Sequence, residues 1–356
     1  MKVISVVGTR PNFIKEFFIH NELKDRGIKE ILVHTGQHYD YEMSKVFFED
    51  FNISKPDYHF ENSSSSSIQQ VANIMTYMED VLKKEKADCT LIYGDVNSTL
   101  AAAVASAKLK IPVVHIEGGI RSRSLYNPEE INRRVSDHLS TLIFACTRTD
   151  YENLLKENFS KDRIVLSGDI MNDVILYMVK KDNIEVRRGD YSVVTIHREE
   201  NVESEERLTR IISGLIKSNE KIIFPVHPRT RQKLEKYGLI DGVIKNSKIE
   251  IREPQSYREF VKILAGANKV ITDSGGVRRE GYILKKPVIV LIDITWFPEI
   301  LEAGWKVVVD ADSDRIIDAV RNFEPPEIHP EIFGDGYAYK RIVNSIVDRF
   351  GNKSFK

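Results

Sequence analysis

The chain has 356 residues, of which 42% are hydrophobic and 29% are charged. Its 52 Lys and Arg residues are balanced by 53 Asp and Glu residues, which gives a formal net charge of -1. This composition excludes an intrinsically disordered protein, and the lack of a basic excess argues against a nucleic-acid-binding domain. A chain of this length is typical of two domains, each large enough to bury a core.

The first half of the chain alternates short apolar runs with longer amphipathic stretches. The apolar runs predict strands at 3–7, 30–35, 89–93, 112–116, 142–146 and 163–167. The amphipathic stretches predict helices at 12–25, 67–86, 98–109, 129–139 and 148–157. Because the runs are apolar throughout rather than alternating, they are typical of parallel strands covered by helices on both faces.

The same alternation starts again after a polar stretch at 180–190. It predicts strands at 192–196, 221–226, 249–251, 269–272, 287–291 and 306–309. It predicts helices at 204–218, 229–237, 256–266, 277–285 and 313–322, and a closing helix at 338–350. We therefore expect two doubly wound α/β domains joined near 170–190.

Three local features complete the survey of the chain. The serine run Ser63–Ser67 is interpreted either as a mobile loop near the site or as a helix start with a serine cap. Cys89 and Cys146 lie in apolar runs without a C-x-x-C spacing, so we expect buried thiols in a reducing cytosol. With no signal peptide and no apolar run of about 20 residues, we expect a cytoplasmic protein without a membrane contact.

Ligands of parallel sheets bind beyond the carboxyl ends of the strands. The first strand is followed by GTRPNFIK, in which Pro11 suits the first turn of a helix. Lys15 then lies close to the helix N-terminus, where the macrodipole disfavours a cation, and this favours an anionic ligand near Lys15 and Arg10. A solvated helix lysine is the alternative interpretation of Lys15.

The stretch TDSGGVRRE (272–280) follows a predicted strand of the second half. Its paired glycines allow backbone N–H groups to approach a diphosphate, and Glu280 is placed to bind ribose hydroxyls. A tight strand-to-helix turn is the alternative interpretation. The sequence has no G-x-G-x-x-G fingerprint after a strand and no P-loop motif, which argues against NAD enzymes and P-loop NTPases.

Carboxylates and histidines form a further set of candidates. Asp95 and Glu117 end neighbouring strands and Glu129 opens a helix, so crowded carboxylates are available for acid–base chemistry. Asp95 could instead cap the helix near Ser98, and a capping box with Asn127 explains Glu130. His197 ends a strand and could steady a leaving phosphate, whereas His115 is interpreted as a core residue.

No spacing of histidines or cysteines suggests a metal site. The D-x-D string Asp310–Asp312 resembles a metal-binding motif of glycosyltransferases, but it precedes a predicted helix and is better explained by capping.

Eight short motifs, in this order along the chain, resemble the non-hydrolysing UDP-N-acetylglucosamine 2-epimerase family. They are GTRPNFIK, TGQH, GDVNST, HIEGGIRS, PEEINRR, HREEN, HP and TDSGGVRRE. The resemblance implies the GT-B architecture, with two Rossmann-like doubly wound parallel-sheet domains facing across a cleft. We predict an N-terminal domain at 1–170, joined by the C-terminal helix 338–356, and a UDP-binding domain at 171–337.

The resemblance also implies an activity. Members epimerise UDP-GlcNAc reversibly at C2 to UDP-N-acetylmannosamine (UDP-ManNAc), by UDP elimination and re-addition through 2-acetamidoglucal, and they use no cofactor. UDP-GlcNAc as an allosteric activator and a homodimer are further expectations. A GT-B glycosyltransferase with a UDP-sugar donor is the alternative, and a catalytically silent UDP-sugar-binding protein is a third hypothesis.

The family's functional residues map onto this sequence as follows. The catalytic set is Asp95, Glu117, Glu129 and His197. The substrate-binding set is Arg10, Lys15, Gln255, Phe260, Ser274, Gly275, Gly276 and Glu280. The region of the regulatory site is Gln37, His38 and Arg198. Two residues depart from the bacterial pattern: Phe297 replaces an arginine, and Arg279 replaces an acidic residue.

Overall fold

A computed structural model describes residues 1–37, 55–61, 66–122, 127–293 and 296–351. For Arg10 it describes the backbone only. The chain forms two compact units. The first comprises Met1–Val174 and Phe333–Lys356, and the second comprises Ile175–Ile332.

The first unit is built on a parallel sheet covered by helices. Its strands are β1 (Lys2–Val7), β2 (Lys29–His34), β3 (Tyr58–His59), β4 (Cys89–Tyr93), β5 (Val113–Gly118), β6 (Leu142–Ala145) and β7 (Ile164–Leu166). Its helices are α1 (Arg10–Asp25), α2 (Ser67–Glu85), α3 (Asn97–Lys108), α4 (Pro128–Leu139), α5 (Arg148–Lys156) and α6 (Ile170–Lys181), with a 3-10 turn at Lys161–Arg163. The strand order is β3-β2-β1-β4-β5-β6-β7.

The second unit contains a second parallel sheet. Its strands are β8 (Ser192–Thr195), β9 (Ile222–Pro225), β10 (Ile249–Arg252), β11 (Val270–Thr272), β12 (Val288–Val290) and β13 (Lys306–Val308), in the order β10-β9-β8-β11-β12-β13. Its helices are α7 (Glu199–Val202), α8 (Glu205–Ser218), α9 (Pro228–Lys236), α10 (Ile240–Ile244), α11 (Tyr257–Ala265), α12 (Gly275–Ile283), α13 (Pro298–Glu302) and α14 (Ser313–Asn322). Helix α15 (Ala338–Phe350) returns to the first unit.

The predicted class of two Rossmann-like α/β domains is confirmed. Each predicted strand is present, and the central strands are buried on both faces, as their continuous apolar runs indicate. The row of Ile342, Ile346 and Phe350 on α15 is buried, as its helical spacing predicts. The short elements β3, α7, α10 and α13 are not predicted, and the region expected to join the domains contains the helix α6.

Several local predictions have a structural outcome. Ser66 caps α2 by accepting from the Gln69 N–H at 3.2 Å, which supports the helix-start interpretation, whereas Ser63–Ser65 lie outside the described residues. Asp312 caps α14, as expected. Cys89 and Cys146 are buried and neither forms a disulfide. None of the helices in the described ranges is long and apolar enough to cross a membrane.

A buried carboxyl group joins α6 to α15. Asp173 is 3% exposed, and its Oδ2 accepts from the Tyr339 N–H at 2.9 Å at the start of α15. Burial raises the pKa of Asp173 to about 7, the negative charge of Asp169 adds to this rise, and the hydrogen bonds from the α15 backbone oppose it. The folded protein therefore resists ionisation of this carboxyl group, and the unfolded chain does not.

We expect Asp173→Asn to stabilise the protein at high pH. When folding raises the pKa of an acid, the folded protein loses stability as the pH rises from the unfolded pKa of that acid to its folded pKa. The free energy of unfolding of Asp173→Asn, relative to that of the natural chain, should rise by about 2–3 kcal/mol between about pH 5 and about pH 8. Urea denaturation followed by circular dichroism measures this difference.

Asp348→Asn is the matched control, because Asp348 is an exposed carboxylate on the same helix α15. The difference in free energy of unfolding between Asp348→Asn and the natural chain should stay constant over this pH range. A constant difference for Asp173→Asn would contradict the raised pKa of Asp173.

Candidate active site

Neighbouring strands of the first sheet end in ionisable side chains. Asp95 follows β4, Glu117 lies in β5, Cys146 follows β6 and Asp169 follows β7. Glu117 has φ 73°, and the pairing of β5 with β6 shifts register between Ile116 and Gly118. A non-glycine residue keeps such a backbone conformation only where its surroundings fix it, and such positions are common at functional sites. The bulge thus places Glu117 out of the regular alternation of the strand.

Lys15 forms a direct ion pair with Glu117. Their Nζ and Oε2 atoms are in contact, and the two residues are only 5% and 8% exposed. The sequence predicts an anionic ligand near Lys15, whereas the structure places a carboxylate of the protein there. Because Lys15 is buried, the solvated-lysine alternative is wrong. Gly94 adjoins the pair: a Cβ atom at this position would lie 3.2 Å from Glu117 Oε2. With φ +62° as well, this position requires glycine.

Asp95 is paired with Arg133, whose guanidinium contacts its Oδ2 atom. The alternative role of Asp95 as a helix cap is wrong. Helix α3 has Val96 at its N-cap, and its N-terminal groups at Ser98 are bound by Gln37, whose Oε1 accepts from the Ser98 N–H at 2.9 Å and from the Ser98 hydroxyl at 2.7 Å. The Asp95 carboxylate therefore points towards α4, where 30% of its side chain remains exposed.

Helix α4 contributes Glu129 and Glu130, which differ in burial and in hydrogen-bond partners. Glu129 is half-buried, and its N–H donates to Asn127 Oδ1 at 3.0 Å. Glu130 is fully buried and accepts from Arg134 Nε at 2.7 Å and from the Ser122 N–H at 2.8 Å. The structure thus assigns Glu130 to an ionic network rather than to the predicted capping box.

A mixed set of ligand atoms lies around Glu117. Potential metal-binding atoms of Glu117, Cys146 and Asp169 lie within 4.8 Å of one another, and all three residues are buried. These residue types suit a zinc ion. Lys15, however, already contacts the Glu117 carboxylate, and its positive charge opposes a divalent cation at the same group.

The second unit contains the strand-to-helix turn that the sequence predicts to bind a diphosphate. Helix α12 begins at Gly275, and Ser274 caps it by accepting from the Val277 N–H at 3.4 Å. The buried carboxylate of Asp273 accepts from the backbone N–H groups of His197 at 3.1 Å and Arg198 at 3.0 Å. Because β8 and β11 are neighbours in the sheet, Asp273 fixes the loop that carries His197 beside the N-terminus of α12.

His197 keeps 41% of its side chain exposed, with Nδ1 3.7 Å from Asp273 Oδ1. Desolvation lowers the pKa of His197, Asp273 opposes this, and the nearby Arg198 and His227 lower it further. The neutral imidazole therefore predominates at neutral pH. In that form it can donate a hydrogen bond to an anion or accept a proton.

Gly275 serves a contact that the sequence does not predict. A Cβ atom at Gly275 would lie 2.6 Å from the indole of Trp296, whereas at Gly276 the nearest atom, Ser274 Oγ, would be 3.9 Å away. The guanidinium groups of Arg198 and Arg278 lie 4.6 and 5.5 Å from the centre of the same indole. Gly276 therefore remains a position where an anion can approach the backbone, and Gly275 is required by Trp296.

The two departures from the bacterial pattern contact each other. The Arg279 guanidinium lies 5.8 Å from the centre of the Phe297 ring. Phe297 has φ 55°, and its carbonyl accepts from Lys306 Nζ at 2.7 Å, as does the Trp296 carbonyl at 2.6 Å. A buried lysine thus fixes the strained segment that carries both aromatic rings.

The other predicted site residues are placed as follows. Helix α1 begins at Arg10, Phe260 is half-buried on α11, Glu280 is 8% exposed on α12, and the Gln255 amide donates to the Glu253 carbonyl at 2.7 Å. Of the residues predicted for a regulatory site, Gln37 lies in the first unit and Arg198 in the second, and His38 lies outside the described residues.

Comparison with known proteins identifies the family. Residues 21–347 match the model of the UDP-N-acetylglucosamine 2-epimerase family. The chain belongs to this family. It is 39% identical over 353 residues to a UDP-N-acetylglucosamine 2-epimerase homologue of Methanococcus maripaludis, covering 96% of this chain and 98% of the relative.

Two further relatives place the chain within the family. It is 36% identical over 354 residues to the UDP-2,3-diacetamido-2,3-dideoxy-D-glucuronate 2-epimerase of Pseudomonas aeruginosa, covering 96% of this chain and 98% of that protein. The crystal structure of the Methanocaldococcus jannaschii UDP-GlcNAc 2-epimerase with UDP-GlcNAc and UDP matches with a TM-score of 0.88 and 36% identity, covering 98% of this chain and 100% of that chain. The protein is thus an epimerase with a GT-B-like fold.

We expect the Lys15–Glu117 pair to show strong energetic coupling. Lys15→Met leaves a buried carboxylate without its cation, which should lower the free energy of unfolding by about 3–5 kcal/mol. The double variant Lys15→Met with Glu117→Gln should lose much less free energy of unfolding than the sum of the losses in the two single variants. Urea unfolding of the natural chain, both single variants and the double variant measures the coupling.

Arg148→Met with Glu152→Gln is a suitable control cycle, because this pair is exposed on α5. Its coupling should stay below about 1 kcal/mol. Additive effects of Lys15→Met and Glu117→Gln would show that the buried contact does not hold the two charges together.

Proposed function

We propose that this protein interconverts UDP-GlcNAc and UDP-ManNAc by eliminating UDP and adding it back through bound 2-acetamidoglucal. The observation that carries the proposal is the buried pair of Lys15 on α1 and Glu117 on β5. Strand β5 lies next to β4, which Asp95 follows, and the chain is a member of the 2-epimerase family. The M. jannaschii relative is known in complex with UDP-GlcNAc and UDP, which supports this choice of substrate.

The first chemical step needs a base at C2 of the sugar. In this proposal a carboxylate of the first unit, Asp95 or Glu117, takes the C2 proton. The electron pair of the broken C–H bond forms the C1=C2 double bond, and the electron pair of the C1–O bond leaves with UDP. Lys15 is paired with Glu117 and Arg133 with Asp95, so each candidate base has a cation beside it.

The second unit is proposed to hold UDP while charge develops on it. The backbone N–H groups at the start of α12, with Ser274 and Gly276, offer donors to the diphosphate. Neutral His197, fixed beside them by Asp273, donates a hydrogen bond to the leaving phosphate. Glu280 binds the ribose, and Gln255 and Phe260 lie near the uracil. Arg10, which belongs to the first unit, is proposed as a further cation for the substrate.

Re-addition reverses these steps on the other face of the sugar. A protonated carboxyl group gives a proton to C2 from the side opposite the first base, and the UDP oxygen attacks C1. At least two acid–base groups are therefore required, and Asp95, Glu117 and Glu129 supply them from β4, β5 and α4. A glycosyltransferase needs no such set for its donor, which argues against the alternative function.

Hydrogen exchange at C2 tests the reaction directly. The protein is incubated with UDP-GlcNAc in D2O, without any acceptor, and the sugar protons are followed by NMR. The expected product is UDP-ManNAc with deuterium at C2. Unchanged UDP-GlcNAc under these conditions would refute the proposal, and exchange with the UDP-diacetamido-glucuronate of the P. aeruginosa relative would then assign a different sugar.

We expect Asp95→Asn and Glu117→Gln to separate binding from chemistry. Each change keeps the size of the side chain and removes its acid–base capacity, so turnover should fall about 100-fold or more. UDP affinity, measured by calorimetry, should stay within about threefold, because the proposed UDP site lies in the second unit.

Glu152→Gln is the matched control, since Glu152 is exposed on α5 and has no proposed role. It should leave both turnover and UDP affinity unchanged. Normal turnover of Asp95→Asn or Glu117→Gln would remove that carboxylate from the mechanism.

A further inference from the structure

His115 is fully buried in β5, two residues before Glu117, and both of its ring nitrogens are bound. Nδ1 lies 2.7 Å from Asp137 Oδ1, and Nε2 lies 2.8 Å from the carbonyl oxygen of Gly94. The ring is therefore held between two hydrogen-bond acceptors, one at each nitrogen. The imidazole therefore joins α4, through Asp137, to the residue that directly precedes Asp95.

The Asp137 carboxylate extends this contact to the loop after Glu117. Its Oδ2 atom accepts from the Gly119 N–H at 3.2 Å and from Arg121 Nη1 at 2.8 Å. Although burial opposes ionisation, His115 and Arg121 keep the pKa of Asp137 below its usual value. A charged and fully buried carboxylate thus holds the backbone on the far side of Glu117.

Gly94 connects this arrangement to the Lys15–Glu117 pair. The carbonyl of Gly94 accepts from His115, and a Cβ atom on Gly94 would lie 3.2 Å from Glu117 Oε2 and 3.8 Å from Lys15 Nζ. A shift of the Gly94 backbone therefore moves the wall against which the Glu117 carboxylate rests. The same shift moves Asp95, the next residue.

The geometry points to His115 as a positioning residue that fixes Asp95 and Glu117 relative to each other through its bond to the Gly94 carbonyl. This inference rests on the proposed acid–base role of the two carboxylates. Asp137 orients the ring, and the Nε2 bond to Gly94 transmits the position. Misplacement of reacting groups by about 1 Å costs about 100-fold in rate, so the effect on turnover should be large.

Two substitutions of the same residue separate the two ring nitrogens. The amide nitrogen of a glutamine extends as far from Cβ as Nε2, so His115→Gln can still donate to the Gly94 carbonyl but loses the bond to Asp137. The amide nitrogen of an asparagine extends only as far as Nδ1. His115→Asn can therefore donate to Asp137 but leaves the Gly94 carbonyl without this donor.

The inference predicts opposite orders of stability and activity. Because His115→Asn keeps the bond to the charged Asp137, its Tm should equal or exceed that of His115→Gln. Its kcat for C2 exchange should nevertheless be lower than that of His115→Gln, by about 10-fold or more. KM and UDP affinity should be similar in both variants.

Each outcome of this experiment has a separate meaning. A natural chain that does not exchange the C2 proton refutes the proposed function. An active natural chain, together with kcat values that follow Tm in the two variants or are equal, refutes the positioning role and leaves His115 a packing residue. A lower kcat in the more stable His115→Asn supports positioning, because a purely structural role cannot produce that order.

Discussion

The burial of one ion pair constrains much of the first unit. Lys15 and Glu117 are both less than one-tenth exposed, and two charges can remain there only while each satisfies the other. Their contact requires the second turn of α1 to lie against the end of β5, the register of β5 to shift, and the next strand end to carry a glycine at Gly94. The helix, the bulge and the glycine are therefore consequences of placing a charged carboxylate inside the protein.

The second unit uses a buried carboxylate differently. The carboxylate of Asp273 accepts from the backbone N–H groups of His197 and Arg198, in the loop after β8, and from the Asn201 amide at 3.2 Å. Such donors fix a loop without adding a full positive charge. The loop after β8 can consequently hold a neutral His197 beside the N-terminus of α12, as the proposed mechanism requires.

The sequence predicts the sheets well because continuous apolar runs are local signals. Strand β3 has two residues and carries no such pattern, and α6 is apolar on more than one face, so neither is predicted. Functional side chains of parallel sheets lie at the carboxyl ends of the strands, and this rule predicts neighbouring positions for Asp95 and Glu117. Their partners are not predicted, because Lys15 and Glu117 are separated by 102 residues, and only the folded chain shows that Arg133 reaches Asp95 and that Trp296 covers Gly275.

The two departures from the bacterial pattern are best understood as one local change. Arg279 and Phe297 contact each other, so a cation on α12 rests on an aromatic ring of the neighbouring segment, and Arg198 and Arg278 flank Trp296 in the same way. These contacts place guanidinium groups of the second unit against aromatic rings. The net charge of -1 therefore conceals local groups of charge, with guanidinium groups near the turn 272–280 of the second unit and carboxylates at the strand ends of the first.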